Sequence, residues 1–268
     1  MQLKNLIINI YKTLFFFDFA IVAAYIIPKL STKNVALNAF FTEAVSLSVA
    51  LLFTFVFLRL AEHGKLRVFN GKNKLRHYSL GLLTAVIPIA ATALPLFLFK
   101  TLSFNGVNVS ELSDALLWIA AVFCNAAATE LLLRGYLFRL YRKYYSLPVV
   151  IAVISILFIS MNIYIFSDGV IYTLNLLLNN VLMCLLAEYS YSLLAPVTAH
   201  FFYNAVSSLI LGSYKVAKDY PPLINTLYSG NKLFSGGNVK LEGSIIMLAA
   251  NIVLCAFFII KLKKRKYA

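Results

Sequence analysis

Residues 243–261 read GSIIMLAANIVLCAFFIIK, eighteen positions without a charge before Lys261. A helix of about twenty apolar residues crosses a ~30 Å hydrocarbon layer, so this stretch is written for lipid rather than for a water-facing fold. It ends in Leu262-Lys263-Lys264-Arg265-Lys266, a basic tail of the kind that stays on the cytoplasmic side of a membrane. Working outward from it, further apolar runs predict spans at 6–27, 38–60, 79–100, 114–138, 147–166, 170–190 and 193–212. The expected fold is therefore all-α, a polytopic integral membrane bundle of about eight transmembrane helices, with 1–268 forming a single transmembrane domain.

Composition agrees. The chain is 61% hydrophobic and 13% charged, against an apolar share of about 45–50% in soluble chains, and mean hydropathy is +0.84. A single water-exposed globule cannot hide that much apolar surface. The formal charge of +14 could suggest nucleic acid, but Lys and Arg fall in short clusters between the apolar runs. Lys65, Arg67, Lys72, Lys74 and Arg76 follow the second run, and Arg139, Arg142 and Lys143 follow the fourth. These clusters read as positive-inside topology with both termini cytoplasmic, and no nucleic-acid partner is expected.

The connections at 101–113 and 167–169 contain no Lys or Arg, as the opposite side requires. The long connection at 213–241 carries Lys215, Lys218, Lys232 and Lys240, together with Tyr220-Pro221-Pro222 and a Gly-rich turn. It reads as a surface loop, with a lid or docking element as the alternative. The first apolar run lacks a small-x-small cleavage site and reads as a retained span. Cys124, Cys184 and Cys255 lie within apolar runs at no metal or redox spacing and read as small buried side chains.

Ionisable groups at membrane depth cost at least ~2.5 kcal/mol and are functional candidates by default. Glu130 and Arg134 are four apart in the fourth run and can pair on one helical face. His200 and Asn204 are likewise four apart in the seventh. Asn162, Asn175, Asn179 and Asn180 read singly as interhelical hydrogen-bond groups. Glu43, Glu188 and Asp18 lie near span ends, where reaching the interface suffices. A zinc centre normally needs about three protein ligands, and His200 among amides falls short. No cofactor follows from these residues alone. A transporter would suit midplane charges and the prolines Pro88 and Pro95 in the third run, but no inverted repeat is visible.

Taken in order, Thr129 to Tyr141 and Ala195 to Asn204 resemble the CPBP family of intramembrane proteases, over a core of about 114–212. That family includes the type II CAAX prenyl proteases and the bacterial Abi-type proteins linked to bacteriocin self-immunity. Its pattern is Glu-Glu-x-x-x-Arg-Gly, Phe-x-x-x-His and His-x-x-x-Asn on successive helices of an eight-span bundle. Glu130, Arg134 and Gly135 fit the first element, with Thr129 at its first Glu. Phe158 opens the second, with Asn162 where His is expected, and His200 with Asn204 completes the third.

The resemblance implies that the first Glu activates water while the two His and the Asn position it, bind metal or stabilise an oxyanion. Thr129 has no basicity at neutral pH, and Asn162 can donate a hydrogen bond but cannot shuttle a proton. Zinc is then expected only if the site is intact in some other way, with His200 the one retained candidate ligand. Two functions stay open. One is a catalytically degraded homologue in a bacterial cytoplasmic membrane, binding a membrane or secreted peptide or protein partner as a scaffold or immunity protein. The other is an active intramembrane endopeptidase in which Glu130 replaces the base. Glu130 lies about 100° from Thr129 around a helix, so that rescue needs a rearrangement.

Overall fold

The computed structural model describes residues 2–27, 30–61, 73–213 and 220–267. Lys65, Arg67, Lys72, Lys215 and Lys218, on which part of the topology reading rests, lie outside the described residues. Among the described residues, eight helices of eleven residues or more follow the apolar runs. They are α1 (Gln2–Ile26), α2 (Val35–Leu60), α3 (Lys74–Leu98), α4 (Ala115–Glu130), α5 (Leu147–Met161), α6 (Val170–Ser190), α7 (Leu194–Asn204) and α8 (Ile245–Tyr267).

Six helical stretches in the described residues are long and apolar enough to cross a membrane. The other two fall short for local reasons. The run expected at 147–166 stops at Met161, because Asn162 leaves helical geometry and a 3₁₀ turn, Ile163–Phe166, follows. The run expected at 193–212 changes winding after Asn204 into a π-helix, Ala205–Ile210. A second π-helix, Leu131–Leu137, continues α4 directly after Glu130 and leads into Phe138–Arg142.

Side chains of intermediate polarity and small size decide how the helices meet. α2 packs most heavily on α4, and Ala36, Ala50, Ala121, Ala126 and Ala128 are all buried. Without a hydrophobic force between helices in lipid, such small residues let backbones approach and gain dispersion contact. The starts of these two helices are tied polar-to-polar. Asn34 caps α2 by accepting from the Leu37 amide at 2.7 Å, and its side-chain amide donates to Asp114 at 3.1 Å. α3 meets α7 at Gly81, where a Cβ would lie 2.4 Å from the Ala195 carbonyl oxygen. Phe16, Phe57 and Tyr136 meet edge-to-face or tilted, with centroids 4.5–5.6 Å apart, and join α1, α2 and the π segment.

The outward faces carry Phe55, Leu83, Leu116 and Val253, large apolar side chains that lipid rather than water would cover. The connections were expected as loops, but two pair. β1 (Leu102–Val107) lies antiparallel to β2 (Ile224–Tyr228), matching Leu102 with Tyr228 and Phe104 with Thr226. The register shifts between Phe104 and Val107, around Gly106 at φ +93°. Neither segment shows a long apolar alternation, which is why a two-stranded cap on the bundle was not visible in the sequence.

Candidate active site

The site is assembled where α4 turns into its π segment. Glu130 ends the regular winding and Arg134 follows on the wider turn, and the pair holds, with Arg134 Nη1 3.2 Å from Glu130 Oε1. Both side chains are buried, at 0% and 1% exposure. His200 Nδ1 on α7 approaches the same carboxylate oxygen at 2.9 Å. Arg134 Nη2 donates to the Asn180 carbonyl at 2.8 Å, to the Asn180 side-chain oxygen, and to Cys184 Sγ at 3.7 Å. The Asn180 amide in turn donates to Ser155 Oγ at 2.9 Å. One continuous network therefore links α4, α5, α6 and α7.

π-helical turns recur at functional sites because the inserted residue re-aims side chains. Here both π segments begin directly after residues of the candidate site, Glu130 and Asn204. Glu130, Arg134, Asn179, His200, Tyr203 and Asn204 line a cavity of about 30 Å³, roughly the volume of one water in the liquid. Two polar atoms of the network have no hydrogen-bond partner, Glu130 Oε2 and Arg134 Nε.

The two substituted positions lie elsewhere. Thr129 lines a different cavity, of about 270 Å³, with Thr42, Glu43, Ser46, Asn125 and Met161. The Asn162 amide donates to its own helix at Phe158 O, 2.9 Å away, and does not line the Glu130 cavity. The structure thus brings Glu130, Arg134, His200 and Asn204 together and leaves Thr129 and Asn162 outside.

Several residues differ from their expected roles. Glu43 does not simply reach for the interface, since it is half-buried and accepts from the Asn125 amide at 3.2 Å. Glu188 is also buried, and Arg142 Nε and Nη2 donate to its Oε1 at 3.0 and 2.9 Å. Cys184, expected to be only a small apolar filler, accepts from Arg134. Tyr220 of the long connection stacks on Trp118 with centroids 5.0 Å apart, and burial together with the neighbouring Glu43 carboxylate pushes its phenol pKa up.

Sequence reasoning missed Glu242, just before α8. It is fully buried, and Tyr203 Oη donates to its Oε1 at 3.4 Å, while the Asn175 amide donates to its carbonyl at 2.8 Å. Tyr203 also lines the Glu130 cavity, so a second carboxylate stands one side chain behind the site. The available signal was a lone Glu at the mouth of an otherwise uncharged run.

With this geometry in place, the comparisons with known proteins bear directly on it. Residues 111–206 match the family model described as Type II CAAX prenyl endopeptidase Rce1-like. Over this stretch the chain is similar to the type II CAAX prenyl endopeptidases. The match runs from the turn before α4 into the π segment after α7, so it contains Glu130, Arg134, His200 and Asn204 and also Thr129 and Asn162. It covers less than half of the chain. No curated protein and no solved structure matches the chain.

Whether these residues suit a metal can be tested on the donor set. Among the described residues no three His, Cys, Asp or Glu side chains come together. His200 has one carboxylate neighbour, and the oxygen of Glu130 that it meets is already held by a guanidinium. A three-ligand zinc centre is therefore not assembled by these side chains. What they can do is hold charge, donate and accept hydrogen bonds, and order one small polar molecule.

Proposed function

We propose that this protein is a homologue of the type II CAAX endopeptidases that has lost hydrolytic chemistry and works by binding a membrane-embedded or secreted peptide or protein partner. The observation that carries the reading is the separation of Thr129 from the Glu130 cavity. The position at which active relatives are expected to present the water-activating carboxylate faces a second cavity and holds an alcohol. Asn162 spends its amide on its own helix. The retained residues are engaged with one another, and the Glu130 oxygen that His200 meets is already bonded to Arg134, which leaves it less available to take a proton from water. In this reading the Glu130 network fixes four helices, and the bundle's outer surfaces or its larger cavity meet the partner.

The setting we propose is a bacterial cytoplasmic membrane with the basic tail and the Arg139–Lys143 turn on the cytoplasmic side. Protection against a secreted peptide is one role that suits such a protein. Nucleic acid is not among the partners we propose, because the basic residues cluster at helix ends.

A second reading has its own observation. Glu130 Oε2 has no partner, His200 lies 2.9 Å from the other oxygen, and the cavity has about the volume of one water. That arrangement is compatible with a Glu130–His200 pair polarising water in place of the lost base. Reconstitution in liposomes with native membrane proteins, followed by mass-spectrometric mapping of new peptide termini, separates the two. We expect no termini that depend on His200. New termini that vanish in a folded His200→Ala protein would overturn the binding reading and establish the hydrolytic one.

A further inference from the structure

A cleft of about 290 Å³ opens between the helical stretch that follows α4, at 134–143, and the turn joining α6 to α7. Arg134, Arg139, Arg142 and Lys143 line it, against Glu188 as the one carboxylate among its described lining residues. That carboxylate is occupied by Arg142 through two hydrogen bonds. At the floor, Arg134 is 2% exposed, yet its Nε–H has no acceptor. A buried guanidinium donor without a protein partner can be completed by an anion or a water, and Arg134 lines this cleft as well as the Glu130 cavity. The Tyr191 ring belongs to the same lining, with the Arg265 guanidinium 4.8 Å above it, which adds a cation from the basic end of α8.

Arg139, Arg142, Lys143 and Arg265 sit at the ends of their helical stretches, the depth at which a bilayer presents phosphate, with Arg134 further in. Across Leu193, which lines both, lies an apolar groove of about 300 Å³ formed by Leu131, Leu194, Val197 and Phe201 among others. We propose that the basic cleft binds the headgroup phosphate of an anionic phospholipid, with one acyl chain following the groove beyond Leu193. Free phosphate would meet the same positive charge but leave the groove unused. A zwitterionic lipid would fill the groove but bring its own positive charge to the cleft. The lipid proposed here needs no protease chemistry, so it stands whichever reading of the Glu130 cavity holds.

The test uses the whole purified protein, delipidated in neutral detergent, with native mass spectrometry to count bound lipid. Phosphatidylglycerol should bind roughly tenfold or more tightly than phosphatidylcholine of the same acyl chains. Arg139→Gln combined with Lys143→Gln should shrink that preference by about tenfold, and higher ionic strength should do the same. Should the double variant fail to fold, Lys143→Glu changes an exposed side chain and should still reduce the preference severalfold. Equal binding of the two lipids, or an unchanged preference in a folded variant, would sink the proposal. So would binding of inorganic phosphate with no preference between lipids, which would make the cleft a site for a soluble anion.

Discussion

Thr129 and Glu130 are adjacent in sequence and face different spaces. Glu130 closes a cavity of about 30 Å³ in which a carboxylate, a guanidinium and an imidazole meet. Thr129 lines one of about 270 Å³, where Glu43 and Asn125 bond each other across α2 and α4. The small cavity holds a network in which Glu130, Arg134 and His200 share one carboxylate oxygen, so removing one member strands the others. The large one has spare volume and a mixed lining in which Thr42, Glu43, Ser46, Asn125 and Thr129 stand among apolar side chains, so a change at Thr129 strands no buried charge. Turning one residue along α4 therefore moves from a site that behaves as a unit to one that does not.

The largest effect should come from breaking the unit at Glu130. Glu130→Gln leaves the Arg134 charge buried without its counter-ion, which costs about 3–5 kcal/mol. In a thermal-unfolding assay in detergent this corresponds to a fall in Tm of about 6–20 °C for a chain of this size. Pairing the change with Arg134→Met removes the stranded charge and should recover most of the loss. Equal instability of the single and double variants would mean that the ion pair is not what holds the four helices.

How much of this contrast could be read beforehand depends on which physical signal each part leaves in the sequence. Span-length helices leave a strong one, and runs such as 170–190 fall where Val170–Ser190 is helical. The Glu130–Arg134 pair was legible because a spacing of four fixes a shared face. Its contact with His200, seventy residues away, depends on the packing of α4 against α7 and leaves no local trace. Glu43 was misjudged for a related reason. Its place in the first third of α2 suggested the interface, while its burial is decided by Asn125 on another helix. The β1–β2 pair and Glu242 were missed because short strands and a single carboxylate beside a span look the same as ordinary loop.

His200→Ala should have the next largest effect. It removes a hydrogen bond to a buried carboxylate, worth about 1.5–3 kcal/mol, but leaves Glu130 and Arg134 paired. Its loss of Tm should therefore be clearly smaller than that of Glu130→Gln, and the two should be less than additive when combined, since they act on one oxygen. Strict additivity would show that His200 and Glu130 do not share the network. Across the helix, Glu43→Gln keeps a group able to accept from Asn125 and should change stability by less than about 1 kcal/mol. A shift as large as that of Glu130→Gln would erase the distinction between the two cavities.

The smallest expected effect bears most directly on the proposed loss of hydrolytic chemistry. Thr129→Glu restores the carboxylate of the family pattern at a position with room for it, beside an Asn125 amide already turned toward a carboxylate. The new group also stands in the same cavity as Glu43, and like charges there oppose one another. Space and the Asn125 donor favour it, while the repulsion and the cost of a carboxylate at this depth disfavour it, and with the two sides offsetting, the net change in stability should stay within about 1 kcal/mol. The comparison is sharpened by Asn204→Glu, which forces a longer charged side chain into the small cavity and should cost several times as much. If Thr129→Glu proves as damaging as Asn204→Glu, the larger cavity is not a permissive space. Packing alone would then exclude a carboxylate at position 129, whatever the chemistry of the Glu130 cavity.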